Sequence, residues 1–206
     1  MSDFNPSTAK FTERDMLDAL HARYSRLTQG AIRRYVCAEH VRAACGFAGW
    51  SSISDAPSGA RTMRTADFLA QDTWESQGLH LHGHEVKVSR SDWLTEIADP
   101  SKASAIKRYC DRWWLVVPDR TIVRDDLPDD WGLLAFGRDG KLRVYHSAPQ
   151  LDPEPMPVTF RASLMRAVAK TSAKGPRRSR ASGVAGLLDR LDAAEAALRY
   201  LDESEG

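Results

Sequence analysis

The sequence predicts an α/β fold with a helical extension at the C-terminus. Three observations predict it. Apolar residues recur at helical spacing from Met16 onward and again after Thr159. Branched and polar residues alternate at strand spacing through Leu79–Ser89. Turn chemistry divides residues 32–147 into the order helix, strand, strand, helix, strand, hairpin.

The first helix starts at Thr12, an N-cap with Asp15 in the first turn to complement the helix dipole. Met16, Leu17, Leu20, Tyr24 and Leu27 form its apolar stripe, and Gln29-Gly30 stops it. A second helix is expected from about Ile32 to Cys45, ending at Gly46. The Ser/Gly/Pro-rich stretch from Gly46 to Gly59 reads as a surface loop. Two strands follow, one carrying Asp67 and one carrying Glu85, joined by a turn around Glu75-Ser76-Gln77-Gly78. Ser91 is expected to cap the next helix, and Asp99-Pro100 opens another with proline at its first position. Trp113–Val117, bounded by Pro118, reads as a buried strand. Trp131–Phe136 and Leu142–Tyr145 form a hairpin about Arg138-Asp139-Gly140. Pro153, Pro155 and Pro157 mark a semi-rigid connector before a helix over Thr159–Thr171.

The organisation predicted is an N-terminal helix (1–30), a main domain (31–172), a basic linker (173–183) and a C-terminal amphipathic helix (184–206). From Pro155 to Leu188 there is no acidic residue, so positive charge is local to that stretch. Lys174, Arg177, Arg178 and Arg180 are its candidates for phosphate contact; a solvated linker is the other reading. Val184, Leu187, Leu191, Ala194, Leu198 and Leu201 follow a heptad seam, suited either to a homodimer or to packing on the chain's own domain.

Bulk composition excludes little. Lys plus Arg (29) nearly balance Asp plus Glu (28), so overall charge gives no argument for a nucleic-acid partner. Three cysteines are too few for a disulfide framework and point to a reducing cytoplasm. No apolar run approaches the roughly 20 residues of a membrane span, and no signal peptide is evident.

The chemistry concentrates in Glu85-Val86-Lys87. Side chains alternate faces along a strand, so Glu85 and Lys87 share a side about 7 Å apart. A carboxylate there binds a hard cation while the lysine steadies charge on an attacked phosphate. Asp67, on the preceding strand, offers the second carboxylate. Asp72 and Glu75 compete with it, but Asp72 falls on the opposite strand face and Glu75 in the turn. An isolated Glu-x-Lys on an exposed strand is the bland alternative.

The run from Glu85 to Trp93, then Arg108-Tyr-Cys-Asp-Arg-Trp-Trp-Leu-Val-Val-Pro118, resembles the MmcB family of DNA-repair endonucleases within the PD-(D/E)xK nuclease superfamily. Leu127-Pro128, Trp131-Gly-Leu-Leu134 and Ala148-Pro149 extend the resemblance, which covers roughly residues 61–170. It implies a restriction-endonuclease-like core, a central mixed sheet flanked by helices, and a bacterial or phage enzyme that hydrolyses DNA in repair or recombination with Mg²⁺ or Mn²⁺. It further implies that Asp67 and Glu85 are metal ligands with the backbone carbonyl of Val86 as a third, and that Lys87 holds the scissile phosphate. Glu39 is the acid such nucleases supply from the first core helix, with an exposed helix carboxylate as the other reading. Lys102 and Tyr109 fall on the helix that follows the lysine strand, where an extra polar residue faces the site; a core aromatic is the other reading of Tyr109.

Competing sites are weaker. His80, His82 and His84 share the face opposite Glu85 and invite a zinc hypothesis, although Gly83 can bulge the strand. Cys37-x-x-His40 with Cys45 is another loose set. Trp113 and Trp114 are possible base-stacking platforms, but in a strand they point opposite ways. Two rival functions remain: a nuclease fold that binds DNA without cutting, and an oligomeric adaptor built on the C-terminal helix.

Overall fold

A computed structural model describes residues 10–25, 33–44, 64–99 and 101–174. Its elements are α1 (Glu13–Tyr24), β1 (Tyr35–Arg42), β2 (Thr65–Asp72), β3 (Leu81–Val86), α2 (Arg90–Ile97), α3 (Ser101–Lys107), β4 (Arg112–Val117), β5 (Gly132–Phe136), β6 (Leu142–His146) and α4 (Val158–Ala173). The strands form one six-stranded sheet in sequence order. β1, β2 and β3 pair antiparallel, β3, β4 and β5 parallel, and β6 returns antiparallel to β5. The fold is therefore α/β, with helices on both faces of a mixed sheet.

α1 covers one face, burying Met16, Leu17, Leu20 and Tyr24 against Phe68, Ala70, Trp114, Val116 and Leu134. Its apolar stripe is thus part of the core. Its start is the expected one: the Thr12 amide donates to Asp15 Oδ2 at 2.9 Å while the Thr12 hydroxyl accepts from the Asp15 amide at 3.3 Å. α2, α3 and α4 cover the other face through Trp93, Ala103, Ile106 and Phe160, packed on Leu69, Leu81, Trp113, Leu115 and Leu133.

Residues 35–42 form a strand, correcting the helix expected from Ile32 to Cys45. Glu39 therefore lies on a strand, not on a helix face. β1 sits between α4 and the layer of α1, so polar and apolar residues both turn inward and the alternation that marks a strand disappears. A second correction concerns α2, which is capped by Ser89, whose hydroxyl accepts from the Asp92 amide at 3.2 Å. Ser91 lies inside the first turn and shares a hydroxyl hydrogen bond with Ser89.

Gly83 stays in register against Leu69 and Trp113 and makes no bulge. Its missing side chain makes room for Trp113, whose Cε3 would stand 2.2 Å from a Cβ there. Both tryptophans of β4 are core residues, Trp113 on one face and Trp114 on the other, which removes them as base platforms. The β5–β6 turn uses Gly140 at φ +68°, as the Asp-Gly signal predicts. The heptad segment 184–206, Arg177, Arg178 and Arg180, Cys45 and the loop from 46 to 59 lie outside the described residues. Among the described residues no helix is long and apolar enough to cross a membrane.

Candidate active site

The carboxyl ends of parallel strands are where open α/β sheets generally place ligands. Here β3 ends in Glu85 and Val86, and Lys87 follows directly. The register that joins Phe68 to His84 carries Asp67 to the level of Glu85 one step further on. The Val86 amide donates to Asp67 Oδ2 at 2.8 Å, which fixes the aspartate against the last turn of chain before Lys87. Lys87 Nζ donates to Glu85 Oε1 at 2.7 Å. It also lies 3.1 Å from Oε2 of Glu96, on α2. Asp67, Glu85 and Lys87 are therefore brought together, as the sequence anticipates.

The electrostatics are those of carboxylates short of positive charge. Burial pushes Asp67 up to about 6, against the pull of the Val86 amide and Lys87. Burial, and then the charge of Asp67, push Glu85 up to about 8, although Lys87 opposes the shift. Burial acts against the charge on Lys87, but Glu85 and Glu96 outweigh it and hold the ammonium well above its ordinary range. Three acids crowd one cation in a largely dehydrated corner.

Neither Glu96 nor Glu13 is a candidate in the sequence, and His40 figures there only in the loose set with Cys37 and Cys45. Glu96 is a buried carboxylate on α2 that turns back to Lys87. Glu13, in the first turn of α1, and His40, on β1, flank Asp67. The position of Glu13 needed the knowledge that α1 lies against the sheet end. The helical pattern of residues 32–45 gives no sign that His40 lies beside Asp67. Glu96 carries a signal in hindsight: it follows the Ser89 cap by seven residues, on the inner face of a short amphipathic helix with Trp93.

The remaining candidates lie elsewhere. Glu39 is buried and held by Arg14 (2.7 and 3.0 Å), His21 (2.8 Å) and Lys174 (3.3 Å). The His21 bond and Arg14 depress its pKa far below the carboxylate range. Its oxygens are spent on structure, and Lys174 is turned to it instead of outward. Lys102 donates to the Thr95 carbonyl at 3.3 Å, which ties the end of α2 to α3 and takes it away from the site. Tyr109 packs on Phe160 with ring centroids 4.9 Å apart, a core aromatic beneath α4. Asp72 pairs with Arg34, and Glu75 stands in the turn.

The histidines of β3 do not converge on a metal. His84 is buried, its Nδ1 on the Phe68 carbonyl and its Nε2 accepting from the Tyr24 hydroxyl at 2.9 Å. Burial drives its pKa well down, so it is neutral. His82 Nδ1 accepts from Trp114 Nε1 at 3.2 Å. The segment Tyr109-Cys110-Asp111 is structural as well. The Leu81 amide and Gln150 both donate to the Asp111 carboxylate, and Cys110 lies buried near Gly83.

No protein-family model matches the chain, and no curated protein does. Among solved structures, the chain is similar to the SPO1766 protein of unknown function from Silicibacter pomeroyi, at 20% identity and a TM-score of 0.50. The likeness covers 84% of this chain and 89% of that one, and it is a likeness of α/β fold.

Proposed function

We propose that the protein is a metal-dependent deoxyribonuclease that hydrolyses phosphodiester bonds in DNA, within a PD-(D/E)xK-type core. One observation carries the reading: Asp67, Glu85 and Lys87 meet at one end of the sheet, two carboxylates and an ammonium with little access to water. The resemblance to the MmcB family supports it. Repair or recombination is the setting the resemblance implies, and the three cysteines point to a reducing cytoplasm.

The donor set fits a divalent cation such as Mg²⁺ or Mn²⁺. Asp67 and Glu85 offer hard oxygens, and their raised pKa values mark a place where added positive charge is stabilising. Asp67, Glu85 and the Val86 carbonyl are the ligands. When bound, the cation supplies Lewis acidity and an activated water. Lys87 stays protonated and donates hydrogen bonds to the scissile phosphate, stabilising charge that develops there; it is no general base. Glu96 is a positioning residue that holds the Lys87 ammonium from α2. The Val86 amide orients Asp67, so the first ligand is set by backbone and not by a mobile side chain.

The test is cleavage of labelled single-stranded, nicked, flapped and branched DNAs with Mg²⁺, Mn²⁺ or EDTA, with Lys87→Ala alongside. Cation-dependent cutting that disappears in Lys87→Ala is the expected result. No cutting by the unaltered protein, with salt-sensitive DNA binding intact in both, would replace the enzyme with a non-catalytic DNA-binding module.

A further inference from the structure

His40 and Asp67 face one another across neighbouring strands. They fall between the paired positions Glu39–Phe68 and Val41–Ala66 of the β1–β2 ladder and are not themselves a pair in it. Glu13 closes a third side: its Oε1 is 3.7 Å from His40 Nδ1. One ligand atom from each of Glu13, His40 and Asp67 lies within 4.8 Å of the other two. Asp67 approaches from the buried side, while His40 and Glu13 are each about half exposed, which leaves the cluster open to an ion from solvent.

His40 also holds φ at +51° within β1, a conformation uncommon for residues other than glycine. Three other imidazoles near the sheet are occupied differently. His21 is bonded to Glu39, His82 to Trp114 and His84 to Tyr24. His40 is the one set between two carboxylates at the site.

We propose that His40, with Glu13 and Asp67, binds a first-row transition divalent cation, so that the site takes Mn²⁺ or Co²⁺ in preference to Mg²⁺. The inference rests on the nuclease reading only in treating Asp67 as a ligand shared with the active site. Magnesium is hard, prefers oxygen and gains little from an imidazole. First-row transition ions gain from a nitrogen donor, increasingly along the series from Mn²⁺ to Cu²⁺. Glu13 and Asp67 alone make an oxygen site; His40 makes it selective.

The test is calorimetric titration of the full chain with MnCl₂, CoCl₂ and MgCl₂, for the unaltered protein, His40→Asn and His40→Gly. Asparagine and glycine both tolerate positive φ, so each keeps the backbone while removing the nitrogen ligand. Circular dichroism of each variant confirms folding, and His40→Gly carries the test should His40→Asn not fold. The expected result is Mn²⁺ and Co²⁺ affinity falling about tenfold or more, with Mg²⁺ affinity changed less than about twofold. Unchanged Mn²⁺ affinity would overturn the proposal, and so would an equal loss for all three ions, which marks a structural role. The two readings separate cleanly. His40-dependent Mn²⁺ binding without DNA cleavage sinks the nuclease and leaves the cation site standing. Cleavage with no His40-dependent preference does the reverse.

Discussion

The ammonium of Lys87 lies 2.7 Å from the Glu85 carboxylate, two residues before it in the chain, and bridges onward to Glu96 on α2. This pairing locks the lysine at the sheet end, where its charge faces the cation site. Replacing it with methionine keeps the aliphatic bulk and removes the charge. DNA cleavage should fall by about a hundredfold or more, the usual scale for losing one preorganised electrostatic donor. Stability should fall as well, by about 3 kcal/mol at pH 8, because two buried acids lose their partner. At pH 5 the cost should shrink, since Glu85, pushed up by burial and by Asp67, then holds its proton. Urea unfolding at the two pH values, beside a cleavage assay, checks both halves.

Glu85 and Asp67 make a second prediction, about pH. Each folded-state pKa is raised, to about 8 and about 6, so between the ordinary carboxylate range and pH 8 the folded state binds more protons than the unfolded one. Stability must then fall as pH rises through that window, and be fully present below it. For the metal-free protein the fall from pH 5 to pH 9 should be on the order of 5 kcal/mol, most of it from Glu85. Glu85→Gln, neutral at every pH, should flatten most of the slope. Saturating Mn²⁺ should flatten it too, because cation binding favours the deprotonated carboxylates. Thermal unfolding across the range, with and without the ion, decides it; a slope of opposite sign would mean the pair is ionised throughout.

Gly83 separates scaffold from site. A Cβ at this position would meet Trp113 at 2.2 Å, ring against strand, with Cys110 behind it at 3.0 Å. Gly83→Ala should therefore destabilise the protein by about 2 kcal/mol through overpacking. The effect should be the same at pH 5 and pH 8, unlike that of Lys87→Met. The pairing of Gly83→Ala with Trp113→Phe, which vacates the space, should recover part of the loss; equilibrium unfolding of both variants measures it.

The candidate site was legible because its residues are close in sequence or sit on strands with clear alternation. Glu85 and Lys87 need only the two-residue period of β3, and Asp67 needs only a neighbouring strand of hairpin-sized separation. Thr12 and Asp15 announced α1 through a local hydrogen-bond exchange that depends on no other element. β1 was illegible for the opposite reason. Its helix-like mixture of alanine, valine, glutamate and arginine is overridden by pairing with β2 and by cover from α4. A helical reading of this segment gives His40 and Glu39 no correct orientation. Glu13 and Glu96 reach the site through tertiary packing alone, which no local pattern encodes.

Glu39 yields the last prediction, because its surroundings give it a role distinct from that of Asp67. Its carboxylate is almost fully buried and joins Arg14 and His21 of α1 to Lys174 at the end of α4, while its amide donates to Thr171. It therefore clamps two helices from opposite layers onto β1. Glu39→Gln keeps the shape and loses the charge, and should cost about 2 kcal/mol, the range for hydrogen bonds to a charged group. Because the folded-state pKa of Glu39 is depressed, its contribution is present above the ordinary carboxylate pKa and lost as pH falls. The gap between the unaltered protein and the variant should thus be constant from pH 6 to pH 8 and narrow below about pH 4. Mn²⁺ affinity at the Asp67 site should stay within about twofold, since Glu39 spends its oxygens on cations of the scaffold. A Glu39→Gln protein of unaltered stability that no longer binds Mn²⁺ would instead place this residue among the metal ligands.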